Sequence, residues 1–389
     1  MKKLFNILAF TICLSMILTA FIFSANANDG ITGVTATAPY VECKSAILME
    51  ASTGQVLYEQ NADEALPPAS VTKIMTLLLV MEAIENGKLK YDDKVTASAH
   101  ACSMGGSQIY LKEGEQMSVE DMVKSVVIAS ANDAAVALAE HISGSEEAFV
   151  AEMNKRAAEL GMFNTTFENT NGLDDTAVKH LTSARDIAIM SRELIKHKKI
   201  TEYSSIWMDT VRDGAFGLTN TNRLVRFYKG ATGLKTGSTS KAGFCISATA
   251  ERDGMELICV IMASPTRDIR NAAATALLDW GFTNHKIYTS PKITLSDIKV
   301  VGGKKSKCSL SCETLRIVVD KSITDKIEYK VELPENVSAP MEQGEKIGCV
   351  KYTVGDTEIG SVDIYADQFI KKITFFDLLF SIFCSISIY

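Results

Sequence analysis

The sequence predicts an α+β fold in which helices surround an antiparallel sheet, followed by a small all-β domain and a C-terminal amphipathic helix. Three observations predict it. Helical patterns and hairpin signals are mixed up to about residue 285. After Ser290-Pro291, short β-branched runs separated by turns replace them, and a tail rich in Phe, Leu and Ile follows Lys371-Lys372. The chain of 389 residues is long enough for one large domain and a smaller one. A net charge of −7 supplies no basic surface for nucleic acid, so that class of partner is excluded.

The elements follow in order. Lys2 and Lys3 precede an apolar stretch from Leu4 to Phe23, which ends in Ser24-Ala25-Asn26-Ala27. The A-x-A site predicts a signal peptide over residues 1–27, with an uncleaved anchor as the alternative; either places the remainder outside the cytoplasm. Residues 28–42 are a small, polar lead-in to a domain over 43–285. Ser45–Glu50 and Gln55–Glu59 flank Ala51-Ser52-Thr53-Gly54, a hairpin signal. Pro67-Pro68 stops that unit ahead of Ser70, and the apolar segment from Ser70 to Ile84 predicts a buried helix. Ser118, with Asp121 three residues on, predicts the start of another at Val119. Further helices are predicted over 131–142, 146–160, 183–195 and 269–280. Runs over 243–250 and 255–262 around Asp253-Gly254 form a second hairpin signal. The β-domain, 286–366, has predicted strands at 293–295, 315–319, 327–332, 349–354 and 361–364. In the tail, 367–389, Thr374, Asp377, Ser381 and Ser385 make a narrow polar stripe. The apolar run is shorter than the ~20 residues of a span, so a helix lying in the outer face of the cytoplasmic membrane is expected.

Of the nine cysteines, Cys13 falls in the signal peptide and Cys384 in the tail. The remaining seven are scattered and contain no Cys-x-x-Cys pair, so free thiols are expected, with a Cys308–Cys312 bridge as the alternative. Isolated histidines give no support for a metal site.

Chemistry is carried by three short patterns. Ser130-Ala131-Asn132 lies 60 residues after Ser70-Val71-Thr72-Lys73, and Lys235-Thr236-Gly237 lies 105 residues further on. A serine hydroxyl needs a base within hydrogen-bond reach, and residues three apart on a helix share a face, so Ser70 and Lys73 can meet. Burial and a second cation, Lys235, would lower the Lys73 pKa enough for it to accept a proton. Ser-x-x-Lys recurs at Ser238–Lys241 and Ser296–Lys299, so the pattern alone is weak; Ser70 differs in opening a helix whose free N–H groups suit an oxyanion. Ser130 could relay a proton to a leaving nitrogen while the Asn132 amide holds substrate backbone; a plain helix cap is the structural alternative. In a strand, Lys235 and Gly237 share a face, so a peptide could pair along the edge, with Ser238 N–H as the second oxyanion donor. Thr236, Lys235 and Arg270 are available for a substrate carboxylate, and Arg267 lies close by. A surface turn over 233–237 is the alternative.

These motifs resemble those of penicillin-binding proteins and serine β-lactamases. Their surroundings resemble the low-molecular-mass serine D-alanyl-D-alanine carboxypeptidases, in Pro67–Thr76, Gly233–Gly237, Lys241–Phe244, Asn171–Asp174 and Ser183–Asp186. The resemblance implies a penicillin-recognising, transpeptidase-like fold and an acyl-enzyme on Ser70. It implies Lys73 as base, and Ser130 with Lys235 passing the proton to a departing D-alanine. It also implies peptidoglycan pentapeptide as substrate, β-lactams as covalent inhibitors, and no cofactor. A class A β-lactamase is the enzymatic rival, since Glu168-Asn169-Thr170-Asn171 spells its deacylating Glu-x-x-Asn pattern. A non-catalytic wall-binding protein of the same fold is the other rival.

Overall fold

The computed structural model describes residues 37–377 except 175 and 176, together with residue 379. The predicted signal peptide, and residues 378 and 380–389 of the predicted tail helix, lie outside the described residues.

Five strands make the central sheet: β1 (Ser45–Glu50), β2 (Val56–Gln60), β3 (Ala231–Thr239), β4 (Gly243–Arg252) and β5 (Met255–Ser264). All neighbours are antiparallel, in the order β2-β1-β5-β4-β3. The β1–β2 turn is closed by the buried Glu50 carboxylate, which accepts from the backbone N–H of Ser52 and of Thr53. Asp253 and Gly254 both have positive φ, +50° and +75°, as a two-residue hairpin turn between β4 and β5 requires. Lys235-Thr236-Gly237 lies inside β3, so no surface turn forms over 233–237, and β3 is left at one edge of the sheet.

Strand residues alternate between two cores. Ile47, Met49, Ile258 and Val260 pack with α1 (Lys73–Glu85), α2 (Val119–Ile128), α3 (Asn132–Ser143), α4 (Glu146–Glu159) and α5 (Ala184–Leu194). Ala46, Leu48, Cys259 and Ile261 face α6 (Arg267–Asn284) through Ala274, Leu277 and Leu278. Ser118 and Ser183 cap α2 and α5 by accepting from Asp121 N–H and Asp186 N–H. The helix expected from Ser70 differs at its start. Residues Ala69–Thr72 form a 3-10 turn, and α geometry begins only at Lys73. Ala69 has φ +48°, a left-handed conformation that cannot open an α-helix, and Val71 N–H bonds back to Pro68 O instead.

The C-terminal region is all β. A four-stranded sheet runs in the order Leu310–Cys312, Thr357–Ala366, Lys346–Val354, Ile327–Glu332. His285–Thr289 continues directly from α6 and pairs with Arg316–Asp320. Residues 293–295 form no strand: Ile293 and Leu295 reach the β-domain core as side chains without a ladder partner, and the strand is Ile298–Val301 instead. Residues 367–373 are not helical either. Ile370 is 1 % exposed in the core of this domain and pairs with Met341, while Lys372 pairs with Gly303. Helix begins at Phe375. No helix among the described residues is long and apolar enough to cross a membrane. Cys308 and Cys312 are free thiols.

Candidate active site

In a 3-10 turn residues i and i+3 eclipse, and Ser70 and Lys73 stand at that spacing across the junction with α1. Lys73 Nζ lies 2.9 Å from Ser70 Oγ and donates to Asn171 O at 2.7 Å. The amine is fully buried, and its pKa is driven well below the usual lysine value by burial first and by the charge of Lys235 second, against the opposing Asp133 carboxylate. Asp133 is itself buried and accepts from the N–H groups of Ile109 and Leu111.

A second pair faces the first. Lys235 Nζ donates to Ser130 Oγ at 2.8 Å and to Thr236 O at 2.9 Å. Burial, then the charge of Arg270, lowers the Lys235 pKa to about 7. Ser130 does not cap α3; the cap position is Ala131, which makes no side-chain bond. At φ +63° the Ser130 hydroxyl is turned to Lys235 instead. Such left-handed non-glycine residues, here Ala69 before Ser70 and Ser130 itself, concentrate at functional sites.

Gly237 behaves differently from expectation. The space beside it is filled by the turn that carries Ser70: a Cβ there would lie 2.8 Å from Ser70 N, 2.9 Å from Pro68 O and 2.9 Å from Val71 N. The missing side chain lets β3 approach Ser70, not a peptide lie over Gly237. Asn132 also differs. Its amide NH₂ donates to Gly105 O at 2.6 Å and its backbone N–H to Ser107 O at 2.7 Å, which holds the 105–107 loop. Its Oδ1 is buried without a partner, and Asn132 is not among the residues that line the cleft.

Ser70, Ser130, Thr236, Gly237, Ser238 and Arg270 line one cleft of about 640 Å³, with Lys73 and Lys235 buried behind it. The Thr236 hydroxyl donates to Thr221 Oγ1 at 2.7 Å. Arg270 is 2 % exposed and donates to Cys245 O and Asn271 Oδ1. Burial, with Arg267 and Arg223 adding like charge, lowers its pKa to about 10. Arg267, the neighbour considered with it, lines the same cleft, as do Arg223, Trp207 and Thr221, which no sequence signal had singled out. No carboxylate is among the lining residues. Glu168, the base a β-lactamase reading needs, is exposed, and its Oε2 accepts from Val178 and Lys179 N–H, outside the cleft.

The arrangement therefore holds a hydroxyl against a neutralisable amine, a second hydroxyl against a cation, and arginines for an anion. Residues 32–266 match the family model of D-alanyl-D-alanine carboxypeptidases, and residues 282–372 that of the penicillin-binding protein 5 C-terminal domain. The chain is 43% identical over 346 residues to the D-alanyl-D-alanine carboxypeptidase DacF of Bacillus subtilis (strain 168), covering 87% of this chain and 88% of that protein. It is 34% identical over 352 residues to DacC of Escherichia coli (strain K12), covering 88% and 87%. Its fold is similar to that of penicillin-binding protein 5 from Haemophilus influenzae, with a TM-score of 0.80 at 32% identity over 86% of this chain and 99% of that one.

Proposed function

The chain belongs to the D-alanyl-D-alanine carboxypeptidase family, and from that premise we propose how its own residues perform the reaction. It is a serine enzyme that removes the terminal D-alanine from peptidoglycan stem pentapeptides and is acylated by β-lactams. Ser70 Oγ attacks the carbonyl of the penultimate D-alanine while neutral Lys73 takes its proton along the 2.9 Å contact. The N–H groups of Ser70 and Ser238 receive the oxyanion. As the tetrahedral intermediate collapses, Ser130 gives its proton to the leaving nitrogen and is reprotonated through Lys235. Lys235 recovers the proton that Lys73 took from Ser70, so Lys73 is neutral again and Lys235 charged. Free D-alanine departs, with Thr236 and Arg270 having held its carboxylate. Water then takes the acyl group, Lys73 acting again as base, and Ser70 is restored.

The observation that carries this reading is the pair of Ser–Lys contacts at 2.9 and 2.8 Å in one cleft. It is tested by Ser70→Ala, which is expected to abolish both release of D-alanine and labelling by a fluorescent penicillin. Continued D-alanine release by that variant would refute the nucleophile. Export by residues 1–27 and tethering to the outer face of the cytoplasmic membrane by the tail are part of the same proposal. They are supported by the charged-apolar-small pattern at the start of the chain and by Phe375 and Phe376, 72 % and 78 % exposed in the last described turn.

A further inference from the structure

His180 is a buried histidine, 6 % exposed, with which the proposed steps do nothing. Its ring packs edge-on to Phe167, with centroids 5.7 Å apart. Nδ1 lies 3.0 Å from the backbone N–H of Glu168. A backbone amide can only donate, so Nδ1 is the acceptor and the proton of the neutral ring is on Nε2. Nε2 in turn lies 2.7 Å from Thr72 Oγ1, and it must donate there. The Thr72 hydroxyl spends its own proton on Ala69 O, at 2.8 Å. One directed chain thus runs from Glu168 N–H through His180 and Thr72 to the carbonyl immediately before Ser70.

That carbonyl is where the nucleophile turn is most constrained. Ala69 has φ +48°, and the Gly172 backbone lies so close that a Cβ on Gly172, itself at φ +84°, would overlap Ala69 O. The same 168–180 segment supplies Asn171 O to Lys73 Nζ, so it grips Ser70 through Ala69 and Lys73 directly. Within it Asp174 accepts from Thr239 Oγ1 on β3, and Lys241 Nζ donates to Asp174 O. Burial pushes the His180 pKa down to about 4, against the opposing charges of Glu168 and Asp174, so the ring is neutral under working conditions.

We propose that His180 is a positioning residue for the reaction: its Nε2–H fixes the Thr72 hydroxyl, which fixes the Ala69 carbonyl and with it the direction of Ser70 Oγ towards Lys73. The proposal rests on the reading of Ser70 as the nucleophile. It asks nothing of His180 as a proton carrier, since the ring bonds Thr72 and not Ser70.

Two amide substitutions divide the ring's two roles. Gln places an N–H near the position of Nε2, whereas Asn places an acceptor near Nδ1 and leaves Thr72 with no donor. In the full chain, the second-order rate of acylation by a fluorescent penicillin is expected to stay within about threefold for His180→Gln. It is expected to fall about 10- to 100-fold for His180→Asn, as loss of a hydrogen bond and a small misplacement of the nucleophile would cause. Thr72→Ser, which keeps the hydroxyl, should behave as the parent. Thr72→Val should lose as much as His180→Asn, and the double variant His180→Asn with Thr72→Val should lose no more than either single change. Equal rates for His180→Gln and His180→Asn, or additive losses in the double variant, would overturn the proposal and leave His180 as packing alone. Ser70→Ala, run alongside, reports on the nucleophile itself and keeps the two readings separate.

Discussion

In the proposed reaction two lysines of one site carry opposite tasks, and their surroundings divide those tasks. Lys73 is fully buried, faces the charge of Lys235, and is driven well below the ordinary ammonium range. Lys235 faces Arg270 and reaches a pKa of about 7. With Lys73 neutral and Lys235 charged, the site holds one amine to accept a proton from Ser70 and one ammonium to bond Ser130. The sign of the pH dependence follows. On the acid side acylation rises with pH as Lys73 loses its proton, and on the alkaline side it falls as Lys235 loses its charge, through about 7. A pH profile of penicillin acylation between 4.5 and 9.5 is expected to show both limbs. In Lys235→Arg, whose guanidinium stays charged, the alkaline limb should vanish even though the rate drops. An unchanged alkaline limb in that variant would assign it to another group. The arginines argue at this scale too: Arg223, Arg267 and Arg270 line a cleft with no carboxylate in its wall, which suits an anionic substrate better than a neutral one.

At the scale of elements, catalysis depends on how closely β3 can approach the turn before α1. Gly237 sets that distance, because its Cα side faces Ser70 N, Pro68 O and Val71 N. Gly237→Ala must therefore push the turn and the strand apart. Its expected cost is about 1–3 kcal/mol of stability but about 100-fold or more in acylation, since a shift near 1 Å at the nucleophile is enough. Thermal melting and penicillin labelling of the same preparation check the two effects separately; a variant that melts low and labels normally would contradict the argument. Such close approaches are what the sequence could not show. Ser118 and Asp253-Gly254 were readable because a cap or a two-residue turn is decided by neighbours in the chain. The set Ser70, Lys73, Ser130 and Lys235 was readable because motif order carries it. The 3-10 turn in place of an α-helical start, the capture of Asn132 by Gly105, and the entry of Trp207, Thr221 and Arg223 into the cleft wall all depend on contacts between distant segments. Residues 293–295 misled for the opposite reason: an apolar run there serves side-chain packing, and periodicity cannot tell that from a ladder.

The whole molecule joins its two parts through specific backbone bonds. Gln55, at the turn between β1 and β2, donates from Nε2 to Val318 O and accepts from Val318 N–H at 3.1 and 3.0 Å, a two-bond clasp on the strand that pairs with His285–Thr289. Val318 itself sits in the core under α6, and Lys321 donates to Phe282 O at the end of that helix. The β-domain is thus fastened to the face of the sheet remote from the packed helices α1 to α5. This bears on where the proposed anchor can be cut. Ile370 fills the β-domain core, Lys371 O accepts from Lys304 N–H, and Ile373 N–H donates to Gly302 O, so a truncation before Ile373 removes part of a folded domain. Phe369 is already 44 % exposed within that folded stretch, and the more exposed pair, Phe375 and Phe376, lies just beyond it. Deleting residues 374–389 from a chain lacking residues 1–27 should therefore release it from membranes while leaving melting temperature and D-alanine release unchanged. Deleting 370–389 should destabilise it, because a buried isoleucine truncated away costs about 2–5 kcal/mol. Fractionation and thermal melting of the two truncations decide the matter: continued sedimentation of the shorter deletion with membranes would mean that another surface does the tethering.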